Sequence, residues 1–229
     1  MIKLQHICKL YTMGSYEFRA LNQVDLKISQ GEFISICGAS GSGKTTLLNI
    51  MGLVDSFEEG SYYFKGIDTS KLDDSQKAAI RNREIGFVLQ DFALINSQTV
   101  LYNVMLPLLF SKCPYMKMKR RALEALELVG IKDQAEKRAN QLSGGQRQRV
   151  AIARAIVNSP SIILADEPTG QLDTETGKQI MELLANLNQK GISVVVVTHD
   201  REIAKMTSRI IEMSDGEITN DCVDPLVET

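Results

Sequence analysis

Apolar and polar positions change their period twice along this chain, and the changes divide it. From Lys3 to Ile28 they alternate, as at Val24, Leu26 and Ile28. Period two predicts antiparallel strands, joined at Met13-Gly14-Ser15. Gly31-Glu32 turns the chain into a short apolar run, Glu32 to Cys37, which reads as a buried strand; Thr46 to Gly52 reads as the opening of a helix. Glu58-Glu59-Gly60 reads as a turn, Ser61 to Phe64 as a strand and Lys65-Gly66 as another turn. Asp73 to Arg83 is a polar surface helix that Asp73 or Asp74 can cap, and Glu84 to Leu89 is a second buried strand ending at Gln90-Asp91.

From Thr99 to Asn158 helical periods replace the strand signal. Ala122, Leu123, Leu126 and Val129 make one apolar face that Gly130 stops, and Gln148 to Val157 makes another helix before Pro160. Strands return at Ser161 to Ala165 and Ser193 to Thr198. Between them Thr176 to Gln189 is amphipathic, with Ile180, Leu183, Leu184 and Leu187 inward. Ile210 to Met213, Asp215-Gly216 and Glu217-Ile218 read as a closing hairpin. Strands alternating with helices predict an α/β fold with a mostly parallel core sheet. The N-terminal stretch adds an antiparallel β-subdomain, and the strand-poor middle a helical insertion. The expected boundaries are one domain over 1–229, with 1–90 and 159–229 as core and 91–158 as the helical subdomain.

Composition narrows the class. A chain of 229 residues, 44% hydrophobic and 24% charged, can bury a substantial core. A net charge of −2 gives no global argument for nucleic acid. Cys8, Cys37, Cys113 and Cys222 are scattered without metal-ligand spacing, which suits a reducing cytosol, and Cys37 reads as a small buried hydrophobe. The start, Met-Ile-Lys-Leu-Gln-His, shows no signal peptide. The longest apolar stretch, Val100 to Phe110, holds Asn103 and Pro107 and is too short to span a membrane.

The chemistry begins at Gly38-Ala39-Ser40-Gly41-Ser42-Gly43-Lys44-Thr45-Thr46, a phosphate-loop pattern between a strand and a helix. Glycines let successive N–H groups turn inward on phosphate oxygens, and the helix adds its N-terminal donors and dipole. Lys44 is expected on the β- and γ-phosphates and the Thr45 hydroxyl on Mg²⁺. Ligands of open α/β sheets bind beyond the carboxyl ends of the strands. Four predicted strands end there in reactive residues: the phosphate loop, Gln90, Asp166-Glu167 and His199-Asp200. Asp166 suits the metal, Glu167 the polarisation of water, His199 the γ-phosphate, and Gln90 the metal or the water. His6 lacks such a setting and reads as a surface or packing residue. Leu142-Ser143-Gly144-Gly145-Gln146 is a second anion site at a helix N-terminus, with Ser143 as cap.

Together these stretches resemble the ATP-binding cassette ATPases, in the family's order and over essentially the whole chain. Leu142 to Gln146 is a highly specific motif. Ile85 to Gln90, Leu106-Pro107-Leu108, Ala165 to Asp173 and Val195 to Asp200 further resemble the subgroup serving macrolide-exporter and lipoprotein-releasing transporters. The resemblance implies a phosphate-loop NTPase fold and an ATPase using ATP and Mg²⁺. It implies a head-to-tail homodimer in which Ser143, Gly144 and Gly145 of one subunit, with Gln146, close over ATP on the other's phosphate loop. Asp173 would lie at that interface, and Tyr11 matches the aromatic position that stacks on adenine. A separate transmembrane permease is the implied partner, with the chain peripheral on the cytoplasmic face of the membrane. Asp91 to Ser111, with Phe92, Leu94, Ile95 and Tyr102, is the expected permease contact; Tyr102 stands where the family commonly has an acidic residue, and Gln171 where alanine or asparagine is usual.

Export of a peptide, antibiotic or lipoprotein-type substrate is the expectation; an importer shares every motif. A soluble relative acting on nucleic acid or ribosomes rests only on Lys117 to Arg121, which reads as a solvated helix face. A switch that binds ATP without hydrolysis is disfavoured by Glu167 and His199. The chain ends soon after Ile218, so no C-terminal regulatory domain is expected.

Overall fold

A computed structural model describes residues 1–14, 16–111 and 113–223. In chain order the elements are β1 (Ile2–Met13), β2 (Tyr16–Ile28), β3 (Phe33–Cys37), α1 (Lys44–Met51), β4 (Glu59–Phe64), β5 (Ile67–Asp68), α2 (Asp74–Glu84) and β6 (Ile85–Val88). There follow α3 (Val100–Leu109), α4 (Tyr115–Leu128), α5 (Gly144–Ile156), β7 (Ile162–Asp166), α6 (Thr174–Gln189), β8 (Ser193–Thr198), α7 (Arg201–Ala204), β9 (Arg209–Ser214) and β10 (Glu217–Val223). Ser15, in the expected joint between the first two strands, lies outside the described residues.

The chain forms two compact units, and α2 crosses the boundary between them. The first comprises Met1–Ala79 and the described part of Ser193–Thr229. It holds an antiparallel sheet ordered β2-β1-β4-β5 and a run ordered β10-β9-β3-β8, in which β3 is parallel to both β8 and β9. Phe33 to Cys37 and Ser193 to Thr198 are buried along their whole length, as strands covered on both faces must be. Leu47, Leu48, Ile50 and Met51 give α1 its buried side, and the Tyr62 hydroxyl donates to Met51 O at 2.7 Å, closing the end of that helix.

The strand β4 corrects the expected turn at Glu58 to Gly60. It begins at Glu59, and Gly60 is a strand position with φ of 103°. A Cβ there would stand 2.5 Å from both Gln5 O and His6 O, where β1 has an irregular register. Glycine marks a bulge opposite it, not a reversal. The two-residue strand β5 was too short to carry a period. Asp73 does start α2, accepting from Gln76 N at 2.8 Å. His6 is exposed and its ring nitrogen lies 3.2 Å from Asp25.

The second unit, Ile80–Ile192, pairs β6 in parallel with β7 and stacks α3, α4, α5 and α6 with them. The helical stretch 91–158 therefore shares a unit with these strands. Gly86 is the reason α5 comes so close: a Cβ there would lie 2.6 Å from Ala155 O. Gly86→Ala is accordingly expected to lower unfolding free energy by about 1–3 kcal/mol, the usual cost of overpacking, measured by chemical denaturation. The helix α5 starts at Gly144, four residues before the expected Gln148, because Ser143 caps it there. Gly130, with φ of 74°, ends α4 as expected.

Candidate functional site

The phosphate loop leaves β3 at Cys37 and enters α1 at Lys44. Its glycines are sterically required. A Cβ at Gly38 would stand 2.2 Å from Met213 O, and one at Gly43 would stand 2.5 Å from Ala20 O. Gly41 and Gly43 have φ of 82° and 96°. The loop is closed by Ser42 N donating to Ala39 O at 3.2 Å and tied to the β9–β10 turn by Gly216 N donating to Ser42 O at 3.2 Å. Among the described residues, the N–H groups of Ser40, Gly41 and Gly43 have no protein acceptor. Three unpaired donors on a glycine loop at a helix N-terminus fit an anion with several oxygens, which a triphosphate is.

Lys44 is buried, and its ammonium lies within the loop. It donates to Gly38 O at 2.8 Å, Ala39 O at 2.6 Å and Ser42 Oγ at 3.4 Å. Thr45 is exposed and Thr46 half-buried on the first turn of α1. His199 follows β8 and lines a groove of about 370 Å³ with Gly38, Ala39 and Arg201, so the first unit brings it beside the start of the loop. Cys37 lies in the same wall, and burial raises its thiol pKa. Tyr11, on β1, donates its hydroxyl to Asp55 at 2.7 Å. Burial, then that bond, raises its pKa, while a hydrogen bond with the Thr46 side chain opposes the rise; the tyrosine therefore stands next to the loop's last threonine.

In the second unit β7 ends at Asp166, and Glu167 takes the left-handed conformation with φ of 46°. The turn is fixed by Gly170 N donating to Glu167 O at 3.1 Å. A Cβ on Gly170 would sit 3.1 Å from Gln90 Nε2, so the Gln90 amide lies against this turn, beyond the end of β6. Gln90 and the Glu167 turn are thus brought together. The oxygens of Thr45, Gln90 and Asp166 are hard donors of the kind Mg²⁺ takes.

The loop at Ser143 has its own logic. Ser143 Oγ accepts from Gln146 N at 3.3 Å, and Gln146 Oε1 accepts from Ser143 N at 3.0 Å, a reciprocal cap. The Gln146 side chain is therefore turned back on its own helix. A Cβ on Gly144 would meet Leu172 at 3.2 Å, and one on Gly145 would meet Thr176 at 2.5 Å. The two glycines let the loop lie against the start of α6. Asp173 caps that helix, accepting from Thr176 N at 2.9 Å and from its hydroxyl at 2.7 Å; the hydroxyl bond leads the effects that hold its carboxyl below the ordinary range. The loop at Ser143 and Asp173 are neighbours by this packing.

Three residues were missed as organisers. Gln148 is fully buried in α5 and donates to Pro168 O at 2.6 Å, linking that helix to the turn after Glu167. Asn103, buried in α3, accepts from Ile95 N at 2.7 Å and donates to Ile95 O and Thr99 O. Arg154 donates to Phe92 O at 2.8 Å and to Ala93 O, and burial lowers its pKa. A polar residue on the apolar side of a helix was the available signal in each case. Arg147 stacks its guanidinium 5.5 Å over the Phe92 ring, which is itself buried. Phe92 thus packs inward and is withdrawn from the expected permease contact; Ile95 and Tyr102 are exposed.

Comparison with known proteins agrees with this geometry. Residues 21–170 match the ABC transporter family profile. The protein MJ0796 of Methanocaldococcus jannaschii, an uncharacterized ABC transporter ATP-binding protein, is 50% identical over 226 residues, 96% of each chain. Its dimeric cassette structure has a TM-score of 0.89 at 49% identity, covering 97% of this chain and 98% of that one; a second dimeric structure, a post-hydrolysis state bound to ADP and Pi, also scores 0.89 at 48% identity, with the same coverage. The macrolide export ATP-binding/permease protein MacB of Chlorobaculum tepidum is 43% identical over 221 residues, 96% of this chain and 34% of that longer protein.

Proposed function

This chain belongs to the ABC transporter family, as an ATP-binding domain that hydrolyses ATP, and from that premise we propose that it works as a head-to-tail homodimer energising a separate permease. The observation that carries the reading is the pairing in one chain of two glycine-opened helix N-termini, at Gly43 and at Ser143. One subunit needs only one to cradle a triphosphate; the other serves the partner's nucleotide. In this reading Ser40 to Thr46 and Gly38 hold the phosphates, Lys44 neutralises the β- and γ-oxygens, and Tyr11 stacks on adenine. Thr45, Gln90 and Asp166 hold Mg²⁺, which when bound neutralises the charge on the phosphate oxygens. Glu167 draws a proton from the attacking water and His199 donates to the γ-phosphate. Ser143, Gly144 and Gly145 complete the enclosure from across the dimer, while Gln146 fixes that loop through its cap. ATP favours the closed dimer and hydrolysis releases it, so the cycle can drive a permease between two states.

The permease contact is assigned to α3. Among the described residues no helix is long and apolar enough to cross a membrane. Tyr102, Leu106, Leu109 and Phe110 nevertheless fall at the spacing of one helix face and stay exposed or half-exposed, Phe110 at 82%. Tyr102→Ala is expected to abolish stimulation of turnover by the co-purified permease while basal phosphate release stays within about twofold. Stimulation equal to that of the unsubstituted chain would overturn the contact. The MacB relative favours export. Import, which the same motifs serve, is the second reading. Isolating the membrane subunit that purifies with this chain decides between them.

A further inference from the structure

A charge cluster built on a buried lysine lies beside Tyr11. Lys9 is 5% exposed, two residues earlier on β1, with its ammonium 3.1 Å from Asp55 and 3.3 Å from Glu58. Burial works against the charge of Lys9, but its bonds to Asp55 and then Glu58 win, and its pKa is raised. The same ammonium stands 5.1 Å from the centroid of the Tyr11 ring, a cation–π distance. Asp55 completes the frame. Burial again opposes ionisation, yet hydrogen bonds from Tyr11 and Lys9 hold its carboxyl below the ordinary value. Glu58 locks the other side, accepting from Leu10 N at 2.7 Å.

The cluster is anchored to the phosphate-binding helix. Asp55 N and Val54 N both donate to Asn49 O, near the end of α1. The Asp55 carboxylate thus joins the helix that begins at the phosphate loop to the tyrosine hydroxyl on β1. Two of the ring's freedoms are removed. The hydroxyl is fixed at one end by Asp55, and one face is covered by the Lys9 ammonium. The residue still exposes 38% of its surface, so part of the ring remains open to a ligand.

We propose that Lys9 and Asp55 are positioning residues for the base of the nucleotide: they orient the Tyr11 ring so that its uncovered face receives a purine at a fixed offset from the phosphate loop. The inference rests on the reading of Tyr11 as the adenine platform. A flat ring held at both face and hydroxyl loses little rotamer entropy when the base arrives, which is how a preorganised contact gains affinity. Glu58 aligns the lysine without touching the ring.

The test compares ATP with inorganic tripolyphosphate, which has the phosphates and no base, by calorimetric titration of the full chain. Asp55→Asn, nearly the same shape, should weaken ATP binding about threefold to tenfold, a fraction of what a whole base–aromatic stack contributes. Tripolyphosphate binding should be unchanged. In steady state KM for ATP should rise with kcat retained, the signature of lost uniform binding. Lys9→Met should show the same split; because it leaves two carboxylates without their cation, its fold is verified by circular dichroism and Asp55→Asn carries the conclusion. Tyr11→Ala separates the levels. Unchanged ATP affinity in Tyr11→Ala would sink the platform reading itself. Loss in Tyr11→Ala with Asp55→Asn equal to the parent, or equal losses for ATP and tripolyphosphate in Asp55→Asn, would overturn the positioning role alone.

Discussion

Glu167→Gln is expected to elute as a dimer in Mg-ATP and to release phosphate at least about a hundredfold more slowly than the parent, the lower end of what a general base contributes. The substitution keeps side-chain length and the left-handed backbone at this position, where φ is 46° and the Glu167 carbonyl accepts from Gly170 N. Binding groups are untouched: the loop donors at Ser40, Gly41 and Gly43 and the Lys44 ammonium all remain. Only the capacity to take a proton from water is lost. ATP therefore still closes the dimer, and the closed state persists because the step that opens it is removed. A monomer in Mg-ATP on a sizing column would remove the dimer reading, and turnover within a few-fold of the parent would remove Glu167 as base. The elution is read together with turnover, because a variant that still hydrolysed ATP would reopen its dimer; a monomer that has lost turnover is the result that counts against the dimer.

The phosphate loop and the loop at Ser143 were legible because each needs glycine for a steric reason that the structure then exhibits. Gly38 faces Met213 O, Gly43 faces Ala20 O and Gly145 faces Thr176. The core strands β3, β7 and β8 were legible because strands buried on both faces are near-continuous apolar runs. What failed was local and irregular. Gly60 carried the signal of a turn but serves a bulge, and no window of one strand reveals the neighbour it must avoid. Ser143 was legible as the cap of α5, but the expected helix began only at Gln148; the reciprocal bonds of Ser143 and Gln146 carry it back to Gly144. Phe92 looked like a surface anchor because its period could not show Arg147 lying on its ring. The ties that organise the site, Arg154 to the Phe92 carbonyl and Asp55 to Tyr11, join residues 62 and 44 positions apart. Such pairs leave no trace in a local pattern.

Lys44→Ala is expected to weaken ATP binding by at least about thirtyfold, taking roughly 2–3 kcal/mol for hydrogen bonds to a charged group. Two losses add. The ammonium no longer neutralises phosphate oxygens, and Gly38 O and Ala39 O lose the donor that now holds them at 2.8 and 2.6 Å. Gly38 O is then left without this donor and Ala39 O keeps only Ser42 N, which favours rotation of the Gly38 peptide plane and re-aims the N–H groups of the loop. Lys44→Arg separates charge from shape. It retains a cation, but a planar guanidinium cannot present three donors from one point to Gly38 O, Ala39 O and Ser42 Oγ. It should therefore bind ATP nearly as poorly as Lys44→Ala, while both variants keep the parent's circular dichroism. Parent-like affinity in Lys44→Arg would show that charge alone suffices, and parent-like affinity in Lys44→Ala would refute the cradle. If both fail as expected, the loop's function depends on a single compact cation that shapes the backbone before it meets the phosphate.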